Sequence, residues 1–375
     1  MKLLPKFNIE KEKNYQTIVK NLYLRENFFE KYLKKNILVK SCPVCNSNDL
    51  QNFIDQYRAF LFSDFTEHDK NTKHYFNNIK FHLNNEKLLV CKNCYLIFSN
   101  FNYDYQFFFD YMQLDDGSDP SLYDDNLLSV DQYYGLSKHH NRVKILNQKE
   151  YTNNNSEMKK FLEVSSYRSW ALNELSGSFD TYGIEVHSDS VKFSNIKFPH
   201  LKNKIVNNLF ELEENNFLKK HKPFDVVLFA MCFRRFQDPH KSLKILDKIT
   251  TENSIIIIDE SEYLDNVGKK INSQQNTIED FQHQFQHGKM FYYSSVHIKS
   301  LMGQYSFKLI DEYQTQDERY PTLTQSILVF KKQENYKENF TEELLKNYQN
   351  VKILYENQVI FSKFLTNQFL LFSIE

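Results

Sequence analysis

The sequence predicts an α/β protein: a largely parallel sheet covered by helices on both faces, preceded by a small cysteine-rich module. Three observations lead there. From residue 158 to 332, apolar β-branched runs alternate with helical stretches, as in strands buried on both faces of a parallel sheet. The last two runs, Phe307-Lys308-Leu309-Ile310 and Ser326-Ile327-Leu328-Val329-Phe330, have no helix between them and read as an antiparallel pair closing the sheet. Four of the five cysteines stand in two CxxC pairs, Cys42-Pro43-Val44-Cys45 and Cys91-Lys92-Asn93-Cys94.

Taken from the start, Ile18, Leu22, Phe28, Phe29 and Leu33 recur at helical spacing among charges, so residues 1–40 are an N-terminal helical segment. Residues 41–100 hold the CxxC pairs. Two thiolates two residues apart reach one metal from a single turn, and two such turns complete a tetrahedral shell whose usual occupant is Zn2+. Leu88-Leu89-Val90 before the second pair and Tyr95-Leu96-Ile97-Phe98 after it give strand, knuckle, strand, the second half of a zinc ribbon. The 45 residues between the pairs are an insertion carrying Phe53, Tyr57, Phe60, Phe62 and Phe65. His68, His74 and His82 lie in it, but four thiols already suffice. With sulfur at every position no ligand place is left for water, so the predicted zinc is structural.

Residues 101–156 are an aromatic and acidic connection in which Lys138-His139-His140-Asn141-Arg142 opens a helix running to Gln148. Within 157–332 the predicted strands are Phe161–Val164, Thr181–Val186, Lys204–Asn207, Phe224–Ala230 and Ser254–Asp259, with helices at Trp170–Leu175 and His240–Ile249. Residues 333–375 are a helical tail, with Leu344, Leu345, Tyr348, Val351 and Leu354 on one face.

Composition excludes several classes. Net charge is -1 and the pI about 6.9, so no global basic field exists to attract nucleic acid. No run of about 18 apolar residues predicts a membrane span. Met1-Lys2-Leu3-Leu4-Pro5-Lys6 lacks a signal peptide's apolar core, so the expectation is a cytoplasmic protein, where a reducing milieu keeps thiolates available to zinc. Only 7 glycines occur, roughly 2% against a usual 7%. Places where backbone can approach a ligand closely are correspondingly few.

Five parallel strands with helices and a closing antiparallel pair resemble the class I S-adenosylmethionine-dependent methyltransferase fold, a Rossmann-like sheet. Phe161-Leu162-Glu163-Val164-Ser165-Ser166-Tyr167-Arg168-Ser169 occupies the place of that family's first motif, an acid followed by a glycine-rich turn. The resemblance implies cofactor contacts from Glu163, Ser165 and Tyr167. Glu185 lies 22 residues after Glu163, near the spacing that sets a carboxylate on ribose hydroxyls. Asn208 falls where the adenine amino group is read, and Ala230 and Met231 where the adenosine is floored. Zinc knuckles upstream of such a domain resemble the zinc-binding C-methyltransferases of deoxysugar pathways, which implies a small-molecule acceptor, a nucleotide-linked sugar.

Carbon methylation also needs a base. His287 and Tyr292 are the first candidates from their place before the closing pair, with His240, His283 and Tyr293 behind them. Arg234 and Arg235, after the fourth strand, could grip a substrate phosphate. Cys232 reads as a buried thiol. Two departures oppose activity: the turn carries no glycine, and Arg234-Arg235 stands where relatives often have Glu-His. The alternative is therefore a catalytically inactive methyltransferase-like scaffold or binding subunit with a protein partner.

Overall fold

A computed structural model describes residues 37–54, 88–102, 105, 109, 142–147, 158–212, 215–260, 291–317 and 320–333. His287, His283, the predicted helix of 10–36, most of the 46–90 insertion and the tail from 334 lie outside the described residues.

The strands are β1 (Ile37–Leu38), β2 (Leu50–Ile54), β3 (Leu88–Cys91), β4 (Ile97–Ser99), β5 (Phe101–Asn102), β6 (Lys160–Val164), β7 (Asp180–Glu185), β8 (Ile205–Asn207), β9 (Phe224–Ala230), β10 (Thr250–Asp259), β11 (Phe291–Tyr292), β12 (Phe307–Asp317) and β13 (Tyr320–Lys332). The α-helices are α1 (Trp170–Leu175), α2 (Ser188–Lys197), α3 (Asn216–His221), α4 (Pro239–Ile249) and α5 (Ser295–Gln304). Residues 142–146 add a helical turn before β6.

Seven strands form the main sheet in the order β12-β13-β10-β9-β6-β7-β8. β6 through β10 run parallel, and β13 and β12 add antiparallel at one edge. The chain leaves β6 toward β7 and β8, then returns to lay β9 and β10 on the other side. The order therefore reverses at β6, and in open α/β sheets ligands bind beyond the carboxyl ends of the strands at such a reversal.

Strand alternation sorts the core into two clusters. Leu162, Val164, Val227, Phe229, Ile256 and Ile258 belong to one, while Phe161, Val226, Leu228 and Ile257 belong to the other. Period two places neighbouring side chains on opposite faces, so a continuous apolar run fills both. The first cluster takes in α4, α5 and the cysteines; the second takes in α1 and the turn at 142–146.

Helix ends follow local chemistry. Asp238 caps α4 by accepting from the Lys241 amide at 3.0 Å, with Pro239 in the first turn. Leu243, Leu246 and Ile249 turn inward from that helix. Asn215 caps α3 in the same way.

A second sheet, β11-β4-β3-β2, carries the knuckles. β3 and β4 flank the second CxxC pair as the sequence predicts. Its fourth strand was not expected: β11 pairs Phe291 with Phe98 and Tyr292 with Ile97. The N-terminal module is thus completed by a segment nearly 200 residues away in sequence. Among the described residues no helix is long and apolar enough to cross a membrane.

Candidate functional site

The four cysteine sulfurs lie within 4.8 Å of one another. Cys42 Sγ stands 3.5 Å from Cys94 Sγ, and Cys45 Sγ 3.6 Å from Cys91 Sγ. Sulfurs about 2.3 Å from a tetrahedral zinc would be about 3.8 Å apart, so the donor set fits that ion. Both knuckles repeat one backbone device. Asn46 N donates to Cys42 O at 2.9 Å and Tyr95 N to Cys91 O at 2.8 Å, and both residues after the second cysteine are left-handed, with φ of 57° and 61°. Asn93 adds donors to sulfur, Nδ2 to Cys45 and N to Cys91. Crowding splits the thiols: hydrogen bonds from Cys42 draw Cys45 and Cys91 down, Cys91 to about 6, while Cys42 and Cys94 are held up.

The knuckles dock on α5. Ser294 caps this helix reciprocally with His297, whose Nδ1 accepts from Ser294 N at 3.0 Å. That fixes the proton on Nε2, which donates to Cys94 O at 2.7 Å. At the far end Gln304 Nε2 donates to Val44 O at 3.3 Å. One backbone carbonyl from each knuckle thus holds one end of the helix.

The second site is a cleft beyond the carboxyl ends of β6, β7, β8 and β9, enclosing about 490 Å³, part of it open to solvent. Val164, Ser165, Val186, His187, Asn208, Glu211, Cys232 and Arg235 line it. Its rim is the turn after β6. Without glycine, that turn still takes the left-handed form at Ser165 (φ 64°), Tyr167 (φ 47°) and Ser169 (φ 58°). Each costs on the order of 1–2 kcal/mol for a residue with a side chain.

Hydrogen bonds oppose that strain. Ser165 N and Ser166 N both donate to Ile184 O, at 2.8 and 3.2 Å, and Ser169 N donates to Ser166 O at 2.7 Å. Tyr167 N donates to Glu185 Oε2 at 2.5 Å. Ser194 Oγ, from α2, donates to Ser169 Oγ at 3.0 Å. The space a turn glycine would leave is taken by the Ser166 side chain, and the glycine sits opposite, at Gly183 of β7. A Cβ there would meet Ser166 Oγ at 2.9 Å and Leu172 Cδ1 at 2.8 Å.

The sequence-predicted residues divide between the cleft lining and its support. Ser165, Asn208 and Arg235 line the cleft. Glu185 is fully buried behind it, its other oxygen accepting from His187 N at 2.9 Å, and burial raises its pKa. Asn208 Oδ1 accepts from Leu209 N at 2.8 Å, which commits its carbonyl. Glu163 is fully buried, neither oxygen having a hydrogen-bond partner among the described residues. Burial pushes its pKa up to about 8, against the pull of Arg142. Arg142 itself pairs with Asp259. Ala230, at the end of β9, is buried on the α1 side of the sheet. Tyr167, on the same turn, is 40% exposed and is not among the residues that line the cleft.

Arg234 does not line the cleft. It is buried and pairs with Glu260 at 3.1 Å. Tyr292 is buried in β11, paired with the knuckle sheet. Its neighbour Tyr293 packs on Phe233 at 5.7 Å, with its hydroxyl buried and without a partner among the described residues. His240 Nδ1 meets the Tyr305 hydroxyl at 3.0 Å. Cys232 is a buried thiol whose pKa burial raises well above the usual range.

Glu211 was missed from sequence. It lines the cleft while accepting from Gln237 N at 3.0 Å and Asp238 N at 2.8 Å. Burial raises its pKa to about 8. One acid of the run Glu211-Leu212-Glu213-Glu214 after a short strand has no pattern to single it out.

Residues 136–312 match the family model of a methyltransferase domain. Among solved structures, the chain is similar to magnesium protoporphyrin IX methyltransferase from Synechocystis with bound S-adenosylhomocysteine (12% identity, 61% of this chain and 100% of that one, TM-score 0.44). It is also similar to the N-methyltransferase NodS from Bradyrhizobium japonicum with the same ligand (8% identity, 60% and 99%, TM-score 0.41). A third likeness is to the complex of a Haloferax volcanii methyltransferase with a methyltransferase activator (12% identity, 55% and 94%, TM-score 0.40). No curated protein matches the chain.

Proposed function

We propose that the chain is an S-adenosylmethionine-dependent methyltransferase acting on a small molecule, with a structural zinc in its N-terminal module. The observation that carries this reading is the turn after β6. It keeps three side-chain-bearing residues left-handed at the rim of the cleft where the strand order reverses. Strain of that kind persists where the surroundings over-determine it, and it concentrates at ligand sites.

Ser165, His187 and Asn208 would hold the adenosine, and Glu163, fully buried beneath the turn and outside the cleft lining, would orient the turn. When bound, the cofactor supplies an electrophilic methyl group, so the protein's main task is alignment. Glu185 serves first as a brace: its carboxylate ties the Tyr167 amide to the start of α2, with lone pairs remaining for ribose hydroxyls. Arg235 lines the cleft, its buried Nε has no hydrogen-bond partner among the described residues, and it is suited to an anionic group such as the phosphate of a nucleotide-linked sugar. Arg234 would support that site through Glu260. For a proton-accepting role His287, outside the described residues, stays the candidate; Tyr292, buried in β11 on the knuckle sheet, does not line the cleft. The five free cysteines suit a reducing cytoplasm.

A second reading, an inactive scaffold or binding subunit, draws on the buried Arg234–Glu260 pair, which fills a place where relatives often carry Glu-His. Calorimetric titration of the zinc-loaded protein with S-adenosylmethionine and S-adenosylhomocysteine separates the two. Micromolar binding lost in Glu185→Ala is expected. A well-folded protein that binds neither ligand would sink the enzyme reading and leave the scaffold.

A further inference from the structure

We propose that Arg168 is a positioning residue: held between the rings of Tyr167 and Phe193, its guanidinium keeps the glycine-free turn in the left-handed form that shapes the cleft. What the cleft binds rests on the methyltransferase reading above; the clamp itself does not.

The guanidinium carbon of Arg168 lies 5.1 Å from the centroid of each ring. Both distances are within reach of a cation–π contact. The two plates belong to different elements. Tyr167 is on the turn, at φ 47°, and Phe193 is on α2. The shared cation therefore ties the turn to the helix that follows β7, beside the Ser169–Ser194 hydroxyl bond. Phe193 is itself backed by Trp170 at 6.2 Å, and Trp170 by Phe198 at 5.2 Å.

Two features make this more than packing. Arg168 is only 5% exposed, and burying a cation is costly unless it is well met. An apolar side chain would fill the space without that penalty. A guanidinium, by contrast, reaches both rings with one delocalised charge and so links the two elements that carry them. Further, Tyr167 occupies a backbone conformation that favours glycine, and a glycine there would supply no plate. The residue that strains the turn is the one that lets the turn be clamped. Backbone hydrogen bonds to Ile184 O and Ser166 O would serve a glycine turn equally; the pair of cation–π contacts belongs to this sequence.

The test uses the full zinc-loaded chain with S-adenosylhomocysteine as probe, read by calorimetry, together with amide hydrogen exchange over residues 165–169. Arg168→Met keeps the stem and removes the plane. It should weaken binding about tenfold and speed exchange at the Tyr167 amide, with exchange in β9 and β10 unchanged. Arg168→Lys should fall between. In a Tyr167→Gly background, where the plate is gone and the turn is relaxed, Arg168→Met should cost less than twofold more. Phe193→Leu, which removes the other plate, should reproduce the faster exchange if Arg168→Met folds poorly. Unchanged exchange at Tyr167 in both Arg168→Met and Phe193→Leu would overturn the clamp. If the unaltered protein binds no S-adenosylhomocysteine, the cofactor reading falls alone, and exchange still decides the clamp.

Discussion

At Gly183 a Cβ would stand under 3 Å from both Leu172 Cδ1 and Ser166 Oγ. Gly183→Ala should therefore destabilise the protein by about 1–3 kcal/mol through overpacking, read as a lower denaturation midpoint in urea. Ser166→Gly should recover part of the loss, because the Leu172 contact remains. Glu163 offers a separate test. Its folded pKa, about 8, lies above the 4.5 of the free group, so the folded state holds the proton more tightly. Its burial is tolerated below the unfolded pKa, and stability is lost as pH rises from there through 8. Glu163→Gln removes that loss, so the variant should melt higher than the parent at pH 9 and near it at pH 5. Neither residue's environment was legible in sequence. The resemblance located the turn, but its left-handed residues were not legible, since residue propensity opposes positive φ at serine and tyrosine. The compensation lies on another strand, where only packing reveals it.

Among the elements, strands β6, β7, β9, β10 and the closing pair were legible because each is a run of apolar and β-branched residues. The knuckles were legible from CxxC spacing alone. α2 was not, because its buried residues include Ser190 and Ser194 beside Val191, so no apolar stripe marks it. α5 hides likewise, with His297 and Lys299 buried on it. β11 is two residues long, too short to carry any period. Yet β11 and α5 both join the cysteine module to the sheet domain. Removing zinc with a strong chelator should free the Cys94 and Val44 carbonyls from a fixed frame. Hydrogen exchange should then quicken across α5, while β6 and β9 keep their protection at low temperature. An α5 indifferent to chelation would show that the knuckles merely lean on it.

Across the whole molecule, the cysteines share one core cluster with α4, α5 and the main sheet. The metal module and the sheet should therefore melt together. Calorimetry is expected to give one transition for residues of both units, shifted down as a whole when zinc is withheld; two resolved transitions would contradict a shared core. The sequence reading that bounded a module at 41–100 could not reveal this. The contacts that fuse the units arise from pairing across a long stretch of chain, which local pattern does not encode.

That long-range pairing also has a schedule. Cys94 leaves the ribosome about 200 residues before Phe291, an interval on the order of 10–40 s at ordinary synthesis rates. During it the knuckle sheet has β4 as an open edge, and Phe98 has no partner from β11. A metal ion captured in that window would hold the module in shape until its last strand is made. Zinc supply during synthesis, and not only afterwards, should then set how much soluble protein a cell accumulates.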